Sequence, residues 1–506
     1  MMNKLKRRII AVIPALLMQL VWIFVLLRWL APYATFINLL LSLFASIFVL
    51  RIIVDHYEPA YKTLWLLIIL VFPVFGAILY LFLGERKTAR PIQRRLAHGR
   101  SLLPGQSEED PTVWPAIDQA DPRLAQTFRY VSRKTGFAVK PCDDTAYYPL
   151  GEVMFEQMLE DLRSAERFIF AEYFIVSDGQ MWDAMVEIMA EKAAKGVDVR
   201  FMYDDLGSIS YYSEENLKQL EMKGILCTRF NPLIYIRGTL NYRDHRKMLI
   251  IDGRVAFSGG VNLSDEYINA KERFGHWKDI GFRLTGAAVY NYTLMFAEFW
   301  NAFSHQSIPA ELLTPPVHPQ PLRSERGFVL SYYDSPLYRD AISNNLYMEL
   351  LSQATRFAWF YTPYLMLGDT LLDAFVRAAQ RGVDVRIIMP GIPDKKLVYR
   401  MSRSYYRPLL EAGVRIYEYA PGFLHAKACV IDDVIGTIGT VNLDYRSLFL
   451  HFENNSLFFR APLLADLKED FTATQALCDE RTLDSMGMTL VNWVFDGILR
   501  IFAPLC

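Results

Sequence analysis

Cysteine is scarce and scattered: Cys142, Cys227, Cys429, Cys478 and Cys506 form no Cys-x-x-Cys step and no zinc-ligand spacing. No disulfide framework or zinc-cysteine site can be read from them, and reduced thiols fit a protein facing the cytosol. Net charge is lacking too. With 54 Lys+Arg against 55 Asp+Glu, the chain has no overall attraction for polyanions, so no nucleic-acid partner is expected and electrostatic targeting must be local. No Gly-rich P-loop is present either, so nothing points to nucleotide as an energy source.

Long hydrophobic runs, by contrast, crowd the N-terminus. Ile9 to Leu30, Ala34 to Val54 and Leu64 to Gly84 each approach the ~20 apolar residues that a bilayer core requires. Two or three transmembrane helices over residues 1–86 are therefore expected, the second and third as a helical hairpin. A cleaved signal peptide is the rival for the first run, but its apolar stretch is long and no small-x-small site follows it. Pro73 and Gly76 are tolerable in a spanning helix. Basic residues flank both ends of this region (Lys4 to Arg8; Arg86, Lys87, Arg90, Arg94 and Arg95). The positive-inside rule would place both flanks in the cytosol, which three spans cannot satisfy, so the first run is interfacial or one flank faces outward. The run from Arg86 to Arg100 either holds anionic headgroups or is a plain stop signal.

From about Ala138 the chain turns α/β in character and repeats itself. ERFIFAEYFIVSDG, a helical stretch and KGVDVRFMYDD are matched later by TRFAWFYTPYLMLGD, a helical stretch and RGVDVRIIMPG. Both read as strand, helix, strand, and so as crossover units of a largely parallel sheet. The resulting division is a membrane region at 1–86, a basic lead-in at 87–137, a first half at 138–313, a Pro-rich joint at 314–327, a second half at 328–480, and a C-terminal amphipathic helix at 481–506. That helix, Leu490 to Phe502, is too short to span, so it packs on the domain or lies in the membrane interface.

Each half carries one copy of a single pattern. His245, Lys247, Asp252, Gly259 and Asn262 fall in HRKMLIIDGRVAFSGGVN; His425, Lys427, Asp432, Gly439 and Asn442 fall in HAKACVIDDVIGTIGTVN. One His-Lys-Asp match by chance has odds of roughly a few per cent in a chain of this length, so a second with the same Gly and Asn marks a duplicated unit. MLIID and ACVID read as buried strands ending in turns. Alternation puts each His and Lys on one face, and each Asp on the other face or at the strand end, where it suits an anchor more readily than a direct catalyst. Gly259 with Gly260, and Gly439 with Thr440, mark close backbone approach, and Asn262 and Asn442 add amides to a phosphate cradle. Two such halves face to face would supply what in-line substitution at a phosphodiester needs: one histidine to attack, the other to protonate the leaving alkoxide. No metal or other cofactor is then required. A lone histidine beside a strand, such as His276 or His451, reads as a satisfied core residue.

The paired motifs resemble those of the phospholipase D superfamily, and the hairpin ending in PVFGAILYLFLGE ahead of them is similar to the bacterial cardiolipin synthases. HRK with SGGVN, and NLDYRSLFLHFENN, belong to the same resemblance. It implies two pseudo-symmetric phospholipase D-like α/β/α halves sharing one active site, preceded by transmembrane helices. It further implies phosphatidyl transfer between two phosphatidylglycerol molecules, giving cardiolipin and glycerol, in a multi-pass protein of the bacterial plasma membrane with its catalytic domain on the cytoplasmic side. A phosphatidyl-histidine on His245 is implied, with His425 as acid and then base, and acidic residues downstream of each motif, Asp279 and Glu453, orienting the imidazoles. Thr440 stands where the family usually has Ser and keeps the hydroxyl. Glu172 and Tyr364, at matching points of the repeats, line the pocket or are strand packing. The Asp-Gly…Ala-Arg pattern of metal-dependent enzymes that use a CDP-activated lipid is absent. A hydrolytic phospholipase D or a phosphatidylserine synthase would use the same residues; a non-catalytic lipid scaffold would be expected to have lost one, and none is missing.

Overall fold

The structure is a computed structural model that describes residues 17–25, 28, 34–55, 58–81, 90–105, 110–209, 214–232, 241–315, 327–484 and 490–505. Most of the Ile9 to Leu30 run, Lys4 to Arg8, Arg86, Lys87 and nearly all of the Pro-rich joint lie outside these residues. The chain divides into two compact units, residues 1–91 with 498–505, and residues 92–497 with 506.

In the smaller unit, the helix Ala34–Val54 packs against the helices Pro59–Val71 and Pro73–Leu79. Their common core is Phe48, Ile52, Tyr61, Trp65, Ile69, Ala77 and Tyr80. The third hydrophobic run is thus two helices, because Pro73 lacks the N–H that would continue the first one. Gly76 lets them touch: a Cβ there would lie 2.6 Å from the Ile68 carbonyl oxygen. Among the described residues no helix is long and apolar enough to cross a membrane. The outer face of Ala34–Val54 is nonetheless apolar, with Leu39, Leu43, Ile47 and Leu50 exposed.

The larger unit holds two sheets of matching order. The first runs β1 (Thr145–Tyr148), β7 (Gly281–Thr285), β6 (Val255–Gly259), β5 (Met248–Ile251), β2 (Phe168–Tyr173), β3 (Asp198–Asp204), β4 (Leu226–Phe230). The second runs from a short edge strand, Lys140–Pro141, through β8 (Phe328–Asp334), β14 (His451–Phe459), β13 (Ile435–Gly439), β12 (Ala428–Ile431), β9 (Phe357–Tyr361), β10 (Asp384–Pro390) and β11 (Arg415–Tyr419) to β15 (Cys478–Arg481). The strand-helix-strand repeat is present, but the sheets are mixed rather than largely parallel. Parallel pairing runs through β2-β3-β4 in the first sheet and β9-β10-β11 in the second. The motif strands instead fold back as hairpins, β5-β6 and β12-β13, over turns where Asp252 and Asp432 adopt φ 55°.

One face of the first sheet is covered by the helices Gly151–Arg163 and Gln180–Ala194 through Met154, Met158, Met181, Met185 and Met189. The other is covered by the helix Val289–Phe303, which is apolar almost all round and so reads as buried. It joins the halves: Phe296 stacks on Phe170 at 4.8 Å, while Phe299 packs on Tyr333 and Phe452. Arg100, in the basic lead-in, is tied to Glu298 at 3.1 Å and Tyr333 at 2.6 Å, so this member of the run is engaged by protein. The C-terminal helix Leu490–Phe502 docks its polar stripe on Arg400, through Asp496 at 2.9 Å and Asn492 at 3.1 Å. Its Val494 and Phe495 remain exposed.

Candidate active site

Each half sends the residues just before its histidine across to the other half. Arg243–Asp244 pairs in parallel with the start of β14, and Gly422–Leu424 pairs in parallel with His276–Lys278. The backbone N–H of His245 then donates to the Phe452 carbonyl at 2.9 Å, and that of His425 to the Lys278 carbonyl at 2.7 Å. Glu453 and Asp279 are the next residues along those strands. The exchange therefore crosses the two halves: His245 Nδ1 lies 2.9 Å from both Glu453 oxygens, and His425 Nδ1 lies 2.6 Å from Asp279 Oδ2. Both acids are fully buried, and both imidazoles nearly so. Each downstream acid is thus hydrogen-bonded to the motif histidine of the opposite half.

Both lysines turn back on their own motifs, Lys247 Nζ donating to the His245 carbonyl at 2.6 Å and Lys427 Nζ to the His425 carbonyl. The motifs feel one another. Burial, and then the nearby cations Lys247 and Lys427, hold His245 well below the usual imidazole range. Burial and Lys427 bring His425 down to about 4. Burial lowers Lys247 to about 8 and Lys427 to about 7, while pushing Glu453 up to about 8 against the opposing pull of Lys247. A bound phosphodiester would favour the protonated form of every cation around it.

The remaining motif residues are placed as follows. Asp252 accepts backbone N–H bonds from Glu166, Arg167 and Phe168 at 2.9, 2.7 and 2.9 Å, and Asp432 does the same for Thr355, Arg356 and Phe357 at 2.7, 2.8 and 2.8 Å. Both carboxylates thus pin the start of the neighbouring strand, the anchoring geometry that strand alternation suggested. Asp252→Ala should lower stability by at least about 1–3 kcal/mol, since several backbone donors lose their partner. Thermal unfolding checks this, with turnover of the folded fraction preserved; lost turnover at unchanged stability would return the residue to the chemistry.

Gly259 and Gly439 are required by close approach, a Cβ at either lying 2.4 Å from a carbonyl oxygen, of Ile280 and Asn454 respectively. Gly260 is tighter still, since a Cβ would lie 2.0 Å from Asp279 Oδ1. At the matching point Thr440 donates its hydroxyl to Glu453. The asparagines are not equivalent phosphate donors: Asn262 is held at both ends, by the Ile175 N–H at 3.0 Å and the Tyr267 hydroxyl at 2.7 Å. Asn442 donates to Asp444 at 3.2 Å and leaves Oδ1 buried with no partner among the described residues. Glu172 is buried in an ion cluster with Arg246, and Tyr364 donates to Asp394 at 2.6 Å, so packing accounts for both.

Sequence reasoning missed Asn454, which accepts the Lys247 N–H at 3.1 Å and donates to Ser258 at 2.7 Å, locking one half to the other. Its only signal was its place beside Glu453. His276 is satisfied by Tyr419 at 3.0 Å, as read. His451 is not, since neither of its ring nitrogens has a partner among the described residues.

The family described as "Cardiolipin synthase, PLD-like domain" matches residues 158–273 and 347–474, one stretch per motif. A phospholipase D-nuclease N-terminal family matches residues 40–85. A cardiolipin synthase from Halalkalibacterium halodurans is 33% identical over 83% of this chain and 84% of its own length. The chain belongs to the cardiolipin synthase family. Another cardiolipin synthase, from Geobacillus sp. (strain WCH70), is 32% identical over 93% of both chains. The crystal structure of phosphatidylserine synthase from Haemophilus influenzae Rd KW20 covers 75% of this chain and 98% of its own with TM-score 0.57 at 14% identity, a likeness of fold. Cardiolipin synthase membership makes the chain an enzyme and agrees with the resemblance read from its motifs.

Proposed function

We propose that the enzyme transfers the phosphatidyl group of one phosphatidylglycerol to the free glycerol hydroxyl of a second, forming cardiolipin and releasing glycerol. The observation that best supports this is the crossed pairing of two buried imidazoles with two buried acids in a member of this family. Glu453 holds the Nδ1 side of His245, leaving Nε2 to attack phosphorus. As the P–N bond forms, the P–O bond to glycerol breaks, and His425, oriented by Asp279, gives its proton to the departing oxygen. Lys247 and Lys427 offset the charge that gathers on the phosphoryl oxygens. The second phosphatidylglycerol then gives its hydroxyl proton to the now neutral His425 and attacks from the side glycerol left. The P–N bond breaks and His245 is free again. One phosphodiester replaces another, so no nucleotide need drive the reaction.

Both substrates are lipids, which suits N-terminal helices that keep the site at a bilayer. The apolar outer face of Ala34–Val54 is consistent with an enzyme held at a membrane.

Detergent-purified enzyme given labelled phosphatidylglycerol, with a chelator and without nucleotide, should yield cardiolipin and glycerol in equal amounts. Predominant phosphatidic acid would replace transfer by hydrolysis, and a requirement for Mg²⁺ or Mn²⁺ would contradict a mechanism in which histidines and lysines carry the charge.

A further inference from the structure

His451 opens β14, two residues before Glu453, and side chains two apart on a strand share a face. Its ring centroid lies 5.9 Å from that of His245, and Phe174 packs against both, at 6.5 Å from His451 and 4.8 Å from His245. The side chain is only 7% exposed, yet Nδ1 and Nε2 are both without a hydrogen-bond partner among the described residues. Leaving such a group unpaired is unfavourable, and buried polar atoms are paired in nearly all cases. The charges acting on it are Arg446, Arg243 and Lys247, all cationic. An imidazole beside His245, under cationic influence and with no ring hydrogen bond among the described residues, is suited to meet an anion.

The other half has its own version of this position. Trp277 stands two residues before Asp279, its ring 5.7 Å from that of His425, and its indole N–H is likewise buried and unpaired among the described residues. Both halves thus place an unpaired ring N–H beside a motif histidine. A hydrophobic ring would fill either space without stranding a donor.

We propose that His451 is a third imidazole of the phosphate pocket, donating a hydrogen bond to a non-bridging oxygen of the phosphatidyl group as that group moves onto His245. The inference rests on the phosphatidyl-transfer reading above. In an in-line displacement the leaving and entering oxygens lie opposite His245, on the His425 side, so a donor beside His245 reaches the equatorial oxygens instead. These gather charge in the transition state, and His451 contributes there as a catalytic residue.

The test measures formation of the phosphatidyl adduct in the His425→Ala background after rapid mixing with phosphatidylglycerol. His451→Phe, which keeps the ring and loses the donor, should slow adduct formation by roughly the 10²–10³-fold typical of one lost oxyanion donor. His451→Asn, which keeps an N–H, should recover part of that loss. Equal rates in parent and His451→Phe would overturn the proposal. In the otherwise unmodified enzyme, ¹⁵N-histidine spectra titrated with inorganic phosphate should show the His451 ring nitrogens shifting; unchanged His451 signals while His245 moves would also overturn it. Phosphate-dependent shifts at His451 in a protein that makes no cardiolipin would instead remove the proposed function and leave the anion contact standing.

Discussion

His425→Ala, mixed with phosphatidylglycerol and quenched, should carry a phosphatidyl group on His245, whereas His245→Ala should carry none. The two motifs are close to symmetric in sequence, and each imidazole is buried and held at Nδ1 by an acid. They differ in surroundings. His425 is walled by Tyr267, Trp277 and Phe423 at centroid distances of 5.4 to 5.7 Å, His245 by Phe174 and His451. With His425 gone, the first displacement loses its acid and proceeds slowly, but the second also loses its base, so the adduct accumulates. Turnover should fall by at least roughly 10²–10⁴-fold in either variant. Mass spectrometry of the quenched protein reads the outcome, and an adduct on His425 in the His245→Ala protein would reverse the assignment.

The crossed acids give the second large effect. Glu453→Gln should impair formation of the adduct, and Asp279→Asn its discharge, each by roughly 10²–10⁴-fold, because an amide no longer fixes the required imidazole tautomer. If each acid served its own motif, the two defects would be exchanged. Burial pushes Glu453 up to about 8. Below that pH the protonated carboxyl donates a hydrogen bond to Nδ1, which leaves the ring hydrogen on the attacking Nε2. Above it, the carboxylate accepts Nδ1–H and frees Nε2. Adduct formation should therefore rise with pH toward about 8, and Glu453→Gln should lose that limb. Single-turnover rates across pH check both statements.

What could be read from the sequence was local. The two motifs, the strands Met248–Ile251 and Ala428–Ile431, the turns at Asp252 and Asp432 and the close approaches at Gly259 and Gly439 all follow from spacing within some twenty residues. Strand alternation alone also separated the anchoring Asp252 from His245. What could not be read was the pairing of segments far apart in the chain. Arg243–Asp244 lies on β14, some two hundred positions away, and nothing local to HRK announces it. The exchange decides which acid meets which histidine. The mixed sheets escaped for a related reason: the repeats show crossover helices, while the hairpins that return through Gly259 and Gly439 reverse the strand direction beside them. Asn262 looked like a free amide because its partners, Ile175 and Tyr267, come from the chain around it only after folding.

Two displacements at one phosphorus, the first by His245 and the second by a lipid hydroxyl from the opposite side, leave a stereochemical record. Phosphatidylglycerol made chiral at phosphorus with oxygen isotopes should give cardiolipin whose transferred phosphoryl group retains its configuration; inversion would mean a single direct displacement and would contradict the histidine-bound intermediate.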